Sequence, residues 1–184
     1  MQVYPDETEV ILRAKAYDPD ALGTLYERHY QGIYRYVYYR VGDSCLAEDL
    51  TADIFMKMLH GIESYSIQGV PFSAWLYRIA RNRIIDHMRR QPEKTDVSLE
   101  EARVESIASG ETTLENALQR DELLKAVQVL TDDQRQVILL KFIEDLDNAS
   151  IAAILGKTEG AVKSLQHRAL DTLRHHIEST QPDV

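Results

Sequence analysis

The sequence predicts an all-α protein made of two helical units joined by an acidic connection, and three observations carry that prediction. Apolar residues recur at three- and four-residue steps in nearly every long segment, without the alternation of a half-buried strand. The five prolines, Pro5, Pro19, Pro71, Pro92 and Pro182, all lie near segment edges, where they punctuate helices rather than break them. After Pro92 the composition changes: residues 93–122 hold nine acidic against three basic residues, with Ser, Thr and Gly and no sustained apolar stripe until Leu114.

In order, helices are predicted over residues 7–17, 21–41, 45–61 and 72–90. The breaks are Asp18-Pro19-Asp20, Gly42-Asp43-Ser44 and residues 64–71. Together they make an N-terminal bundle, residues 1–91. In its second helix Leu22, Leu25, Tyr26, His29, Ile33 and Val37 form the expected core stripe, with Tyr30, Tyr34, Tyr38 and Tyr39 as packing and rim residues. Residues 92–122 read as a flexible linker with helical character near its end, 123–178 as a second compact unit, and 179–184 as a tail. Within the second unit, Thr131 followed by Gln134 is a capping-box signature that opens a helix over 132–142. Asp147 is placed to cap a short helix carrying Ile151, Ala152, Ile154 and Leu155. Gly156 stops that helix, and Thr158 is placed to cap the next, which runs to about residue 176.

The fourth helix carries the most chemistry. In FSAWLYRIARNRIIDHMRR, helical spacing puts Arg78, Arg81, Asn82, Ile85 and Arg89 on one cationic and polar face. Phe72, Trp75, Leu76 and Ile79 form one apolar stripe, and Ala80, Ile84 and Met88 another. Guanidinium groups offer planar donor forks to phosphates and base edges, and nearby aromatic rings can stack on unpaired bases. Two readings of this face stay open on the helix alone: nucleic-acid contact, or a solvated arginine surface.

Composition narrows the function further. Thirty acidic residues against twenty-one Lys and Arg give a net charge of −9, so the long-range field repels phosphates and any DNA binding has to be local or assisted. The single cysteine, Cys45, cannot form an internal disulfide; with no charged-then-apolar leader, a cytoplasmic protein is expected. No uncharged apolar stretch approaches membrane-spanning length. Six scattered His and one Cys lack paired-ligand spacing, so no metal or other cofactor is expected, and no nucleophile or phosphate cradle marks an enzyme.

Helix, glycine turn, helix is the pattern of a helix-turn-helix. On the last helix Ala161, Val162, Leu165, Ala169, Thr172 and Leu173 are expected inward, and Gly160, Lys163, Ser164, His167, Asp171 and Arg174 outward. Lys163, Ser164 and His167 then stand where a recognition helix presents its first turns to a groove.

Taken together, LAEDLTADIFMKM, PFSAWLYRIARNRIIDHMRR, LTDDQRQVILLKF and IAAILGKTEGAVKSLQHRALDTLR resemble the extracytoplasmic-function sigma factors of bacterial RNA polymerase, in collinear order over residues 22–177. The resemblance implies an N-terminal promoter-melting domain, sigma domain two, and a C-terminal helix-turn-helix, sigma domain four. It implies that Glu48, Asp49, Leu50, Ala52 and Asp53 dock on the coiled coil of the polymerase clamp. It assigns the minus-ten element, as unpaired DNA, to Tyr65, Tyr77, Arg78, Arg81, Asn82 and Arg89, with Trp75 on the core side of that helix and Gly69 and Pro71 shaping the loop. It assigns the minus-thirty-five duplex to Gly160, Lys163, Ser164, Gln166, His167 and Arg168.

This chain departs from the family pattern in three places. Ala52-Asp53 stands where many relatives have Gln-Glu, Leu165-Gln166 where many have Arg-Leu, and Ser150 where a Glu often begins the preceding helix. The acidic linker resembles the segment that threads the polymerase cleft. Many relatives are held inactive by an anti-sigma factor, and nothing in this sequence marks where one would sit. A non-enzymatic initiation factor is the expected function; the alternative is a two-domain helix-turn-helix regulator acting without polymerase. Apart from the linker, the two readers are expected to be untethered in space.

Overall fold

The computed structural model describes residues 6–90 and 114–180, with side chains over 6–90 and 121–179. The first unit holds α1 (Glu7–Lys15), α2 (Pro19–Val41), α3 (Ser44–Gly61), a 3₁₀ turn at Ile62–Ser64, and α4 (Phe72–Arg90). Local chemistry sets their ends. The Asp18 carboxylate accepts the N–H groups of Asp20 and Ala21 at 3.0 and 3.2 Å, with Pro19 in the first turn, so α2 starts there. Gly42 ends α2 in the left-handed region, φ +75°, and Asp43 accepts the Leu46 N–H at 2.7 Å to start α3.

Burial then fixes the bundle. Phe72, Leu76, Ala80 and Ile84, each four residues from the next, form one line on α4 that is at most 1% exposed. Trp75, Ile79 and Met88 flank it half-buried, so the two stripes expected on α4 are one band with a deep centre. From α2, Leu25, Ile33, Tyr36 and Val37 meet that band together with Ile54 and Met58 of α3.

The second unit comprises α5 (Leu114–Gln128), α6 (Asp132–Ile138), a π turn at Leu139–Ile143, α7 (Asn148–Leu155) and α8 (Glu159–Thr180). Most of the acidic connection lies outside the described residues; α5 runs across the boundary expected at 122. Its residues, LENALQRDELLKAVQ, are good helix formers without Gly or Pro, and Leu124 and Val127 are buried. The Arg135 guanidinium closes its end, donating from Nε to the Val127 carbonyl at 2.9 Å and from Nη2 to the Gln128 carbonyl at 3.2 Å.

Four sequence expectations change. The helix expected over 132–142 widens into the π turn after Ile138, where the Glu144 N–H bonds the Leu139 carbonyl five residues back at 3.0 Å. Tyr26 is 44% exposed, because its ring lies at the bundle edge against Phe55 of α3 and Tyr30 of its own helix. Ala161 is exposed, since Val162, Leu165 and Ala169 already define the inward line of α8 and a neighbour one residue away points about 100° aside. The largest change concerns the two units, which are packed on each other rather than untethered. α4 lies along α7, α2 meets the π turn, and buried residues of both units form one continuous apolar core.

Ile84 is fully buried in that core. Ile84→Ala should cost about 2–5 kcal/mol, read as a lower urea midpoint at unchanged slope; a loss under about 1 kcal/mol would mean that the α4 line does not organise the bundle.

Candidate polymerase and nucleic-acid interfaces

The acidic ridge of α3 presents Glu48, Asp49, Ala52 and Asp53 to solvent, while Leu50 is 1% exposed and belongs to the core. Asp53 is paired within the chain: Arg83 of α4 donates to its Oδ2 from Nε at 2.9 Å and also from Nη2. Glu48 and Asp49 are therefore the more available charges of this ridge.

The loop before α4 is held from several sides. The Tyr65 ring packs against Phe72 and Trp75 with centroids 5.5 and 5.1 Å away, and its hydroxyl donates to the Val70 carbonyl at 2.8 Å. Burial pushes the phenol upward from its ordinary pKa. Lys15 of α1 donates to the Tyr65 carbonyl at 2.6 Å, and the Gly69 N–H closes a turn on Ser66. Tyr65 thus braces the loop from inside.

On α4 itself, Arg78, Asn82 and Arg89 are exposed, but Tyr77 is buried and Arg81 half-buried. Both buried groups meet the second unit. The Tyr77 hydroxyl donates to Glu144 Oε2 at 2.7 Å, and Arg81 Nε donates to Gln136 Oε1 at 2.9 Å. Glu144 also accepts both arms of Arg35 of α2, Nε on Oε1 at 2.8 Å and Nη2 on Oε2 at 2.9 Å. Burial, then the adjacent Glu144 carboxylate, pushes the Tyr77 phenol well above its ordinary pKa, so it stays a donor. A second cluster sits beside the first: Asp132 meets the buried Arg40 guanidinium at 2.7 Å and accepts Gln136 Nε2 at 2.6 Å. Sequence reasoning missed Arg35, Glu144 and Gln136. Their partners lie 55 to 109 residues away, beyond the reach of any local pattern; Gly32, one of two glycines inside the second helical segment, is the local trace of the contact.

The helix-turn-helix is α7, a turn at 156–158, and α8. Asp147 accepts the Ser150 N–H at 2.7 Å, Gly156 takes φ +64°, and Thr158 Oγ1 accepts the Ala161 N–H at 3.2 Å. Lys157 pins the turn to Asp133 at 2.9 Å. Gly160, Lys163, Ser164, His167 and Arg168 are exposed along one side of α8, with Gln166 half-buried. The His167 ring lies 3.8 Å from Asp171. Among the described residues no group of His, Cys, Asp or Glu could hold a metal, and no helix is long and apolar enough to cross a membrane.

Two helical units, one with an arginine-bearing helix and one with a helix-turn-helix, define a two-domain protein of the sigma-70 class. Residues 25–93 match the family described as sigma-70 region 2, and residues 120–173 that described as sigma-70, region 4. The chain is 40% identical to the ECF RNA polymerase sigma factor BldN of Streptomyces coelicolor over 90% of its own length, spanning 63% of that protein. It is 32% identical to SigW of Bacillus subtilis, covering 91% of this chain and 94% of that one, and 30% identical to SigX of the same organism, covering 87% and 85%. Among solved structures, CnrH in complex with the cytosolic domain of CnrY shares the fold, with a TM-score of 0.75 at 21% identity over 96% of this chain and 99% of that one. The sigma factor RpoE of Bartonella quintana, solved with the anti-sigma factor NepR, gives a TM-score of 0.68 at 25% identity over 86% and 98%. The chain belongs to the ECF sigma factors of bacterial RNA polymerase, which are initiation factors and not enzymes. That membership sets aside the polymerase-independent regulator.

The Ser150 N–H holds the Asp147 carboxyl below the usual carboxylate range. A depressed folded pKa contributes stability that is full at neutral pH and is lost as pH falls through the folded value. Asp147→Ala should therefore cost about 1 kcal/mol at pH 7, Asp147→Asn far less. The gap between parent and Asp147→Ala should narrow in acid below about pH 4 in thermal unfolding; a gap independent of pH would exclude the charged cap.

Proposed function

We propose that this chain binds core RNA polymerase, directs it to promoters and promotes strand opening, acting in the cytoplasm where polymerase works. The single observation that carries the reading is the pairing of an exposed recognition side on α8 with an exposed Arg78–Asn82–Arg89 edge on α4, on opposite sides of an acidic connection in one chain. Glu48 and Asp49 supply a surface for the basic clamp coiled coil, with Leu50 supporting it from the core and Ala52 and Asp53 extending it. Arg78, Asn82 and Arg89, with Tyr77 and Arg81 once uncovered, contact the melted minus-ten strand, and Tyr65 acts by bracing the loop. Asn82 carries an amide suited to paired hydrogen bonds with a base edge, whereas the arginines position the backbone. Gly160, Lys163, Ser164, Gln166, His167 and Arg168 read the upstream duplex.

The linker, by its negative charge, takes the place of nucleic acid in the polymerase cleft. An anti-sigma partner belongs to the same reading, since two of the structural neighbours were solved with an anti-sigma factor or a partner's cytosolic domain. The division into a domain over 1–91, a linker over 92–122 and a domain over 123–178 is part of the proposal.

The test is assembly with core polymerase followed by run-off transcription from promoter templates. Co-migration and promoter-specific initiation are expected, and sequence-specific DNA binding by the isolated chain without initiation would overturn the reading. In the same assay Glu48→Lys with Asp49→Lys should abolish co-migration while leaving helical content unchanged. Lys163→Ala with His167→Ala should weaken discrimination at the upstream element by about 1–3 kcal/mol for each lost base contact; equal discrimination would place the reading face elsewhere.

A further inference from the structure

We infer that Arg35 of α2 joins Tyr77 and Arg81 of α4 in a phosphate-binding face for single-stranded DNA, and that Glu144 and Gln136 of the C-terminal unit occupy this face when the units are docked. The inference rests on the function proposed above and deepens it. Arg35 has no part in that assignment, and Glu144 gains the role of an internal competitor.

The geometry of the Glu144 carboxylate carries the argument. Two parallel guanidinium bonds from Arg35, at 2.8 and 2.9 Å, and the Tyr77 hydroxyl at 2.7 Å converge on its two oxygens. A guanidinium fork donates to two phosphate oxygens in the same planar geometry in which it donates to two carboxylate oxygens. One helical turn along α4, Arg81 donates to the Gln136 amide oxygen at 2.9 Å, a second acceptor in line with the first. Arg78 and Asn82, sequence neighbours of these covered donors, stay exposed, so one helix carries open and covered donors for the same strand.

The covering is also built on the N-terminal side. At Gly32 of α2 an added Cβ would lie 2.6 Å from the Tyr77 hydroxyl and 3.0 Å from Glu144 Oε2. A Cβ there would push at least one of the two groups aside, so the bare backbone of Gly32 suits their contact. Arg35 itself keeps 46% of its side chain exposed while Glu144 keeps 4%, so an incoming strand can reach the guanidinium before the carboxylate leaves. The docked arrangement thus occupies Tyr77 and Arg81 and neutralises the charge of Arg35 until a partner separates the units.

The test uses the full chain and a fluorescein-labelled oligothymidylate of twelve nucleotides, followed by anisotropy at several salt concentrations. Glu144→Gln should raise affinity about tenfold, an ordinary coupling between sites. Gly32→Ala should act in the same direction while favouring the helix itself, so it decides the matter even where Glu144→Gln disturbs folding in circular dichroism. Adding Arg35→Ala to either variant should remove the gain and make the logarithmic salt dependence shallower by about 0.7, one phosphate contact on a single strand. Affinity equal to the parent in both variants would overturn the inference, as would a gain that survives Arg35→Ala. Run-off transcription by the parent chain separates the two claims: initiation with unaltered oligonucleotide binding by the variants sinks only this inference, and absence of initiation sinks the proposed function.

Discussion

The docked arrangement depends on satisfying one carboxylate. Glu144 is almost wholly removed from water, and a buried carboxylate is tolerated only where charge and hydrogen bonds replace its hydration. Every replacement comes from the other unit: the fork of Arg35 and the hydroxyl of Tyr77. The π turn after α6 sends Glu144 back toward α2 and α4, and Gly32 leaves room for it. The apolar contact of α4 with α7 supplies attraction without direction. The Glu144 cluster supplies the register, and Arg40–Asp132 and Arg81–Gln136 extend it along the same seam.

That constraint links packing to function through competition. The donors that satisfy Glu144 and Gln136 are of the kind that a phosphate-reading surface needs, and two of them, Tyr77 and Arg81, sit on α4. The helix-turn-helix side of α8 remains exposed in the same arrangement. On the proposed reading, closure bears unequally on the two readers, covering residues assigned to strand capture more than those assigned to duplex contact. In the proposed opening, intramolecular pairs would be exchanged for contacts to polymerase and DNA, so its free energy can be small although each contact is strong.

Much of this was legible in the sequence where the determinants are local. The caps at Asp147 and Thr158, the stop at Gly156, and the breaks at residues 18–20 and 42–44 are encoded within a few residues of where they act, and the two stripes read on α4 together hold its single buried line. The exposed side of α8 followed from the same periodicity. What escaped is long-range. Arg81 read as a surface donor because helical spacing groups it with Arg78 and Asn82, Tyr77 was assigned to DNA through the resemblance alone, and nothing within a turn of either announces Glu144 or Gln136. Tyr26 was placed in the core because a hydrophobic ring at helical spacing says nothing about how far the neighbouring helix extends to cover it. The first part of α5, residues 114–122, was read as the helical end of the linker because its acidic residues continue the linker's composition, whereas Leu124 and Val127 fall within the expected second unit.

In the proposed cycle the free chain is closed at the Glu144 seam and opens on polymerase. A distance measurement between spin labels on Cys45, exposed at the start of α3, and on Ser179→Cys, near the end of α8, tests it most directly. In the labelled free chain the distribution should centre on the separation of the docked structure. After assembly with core polymerase and promoter DNA it should move to a distinctly longer one. The same distribution before and after assembly, or a broad long-distance distribution in the free chain, would contradict the account.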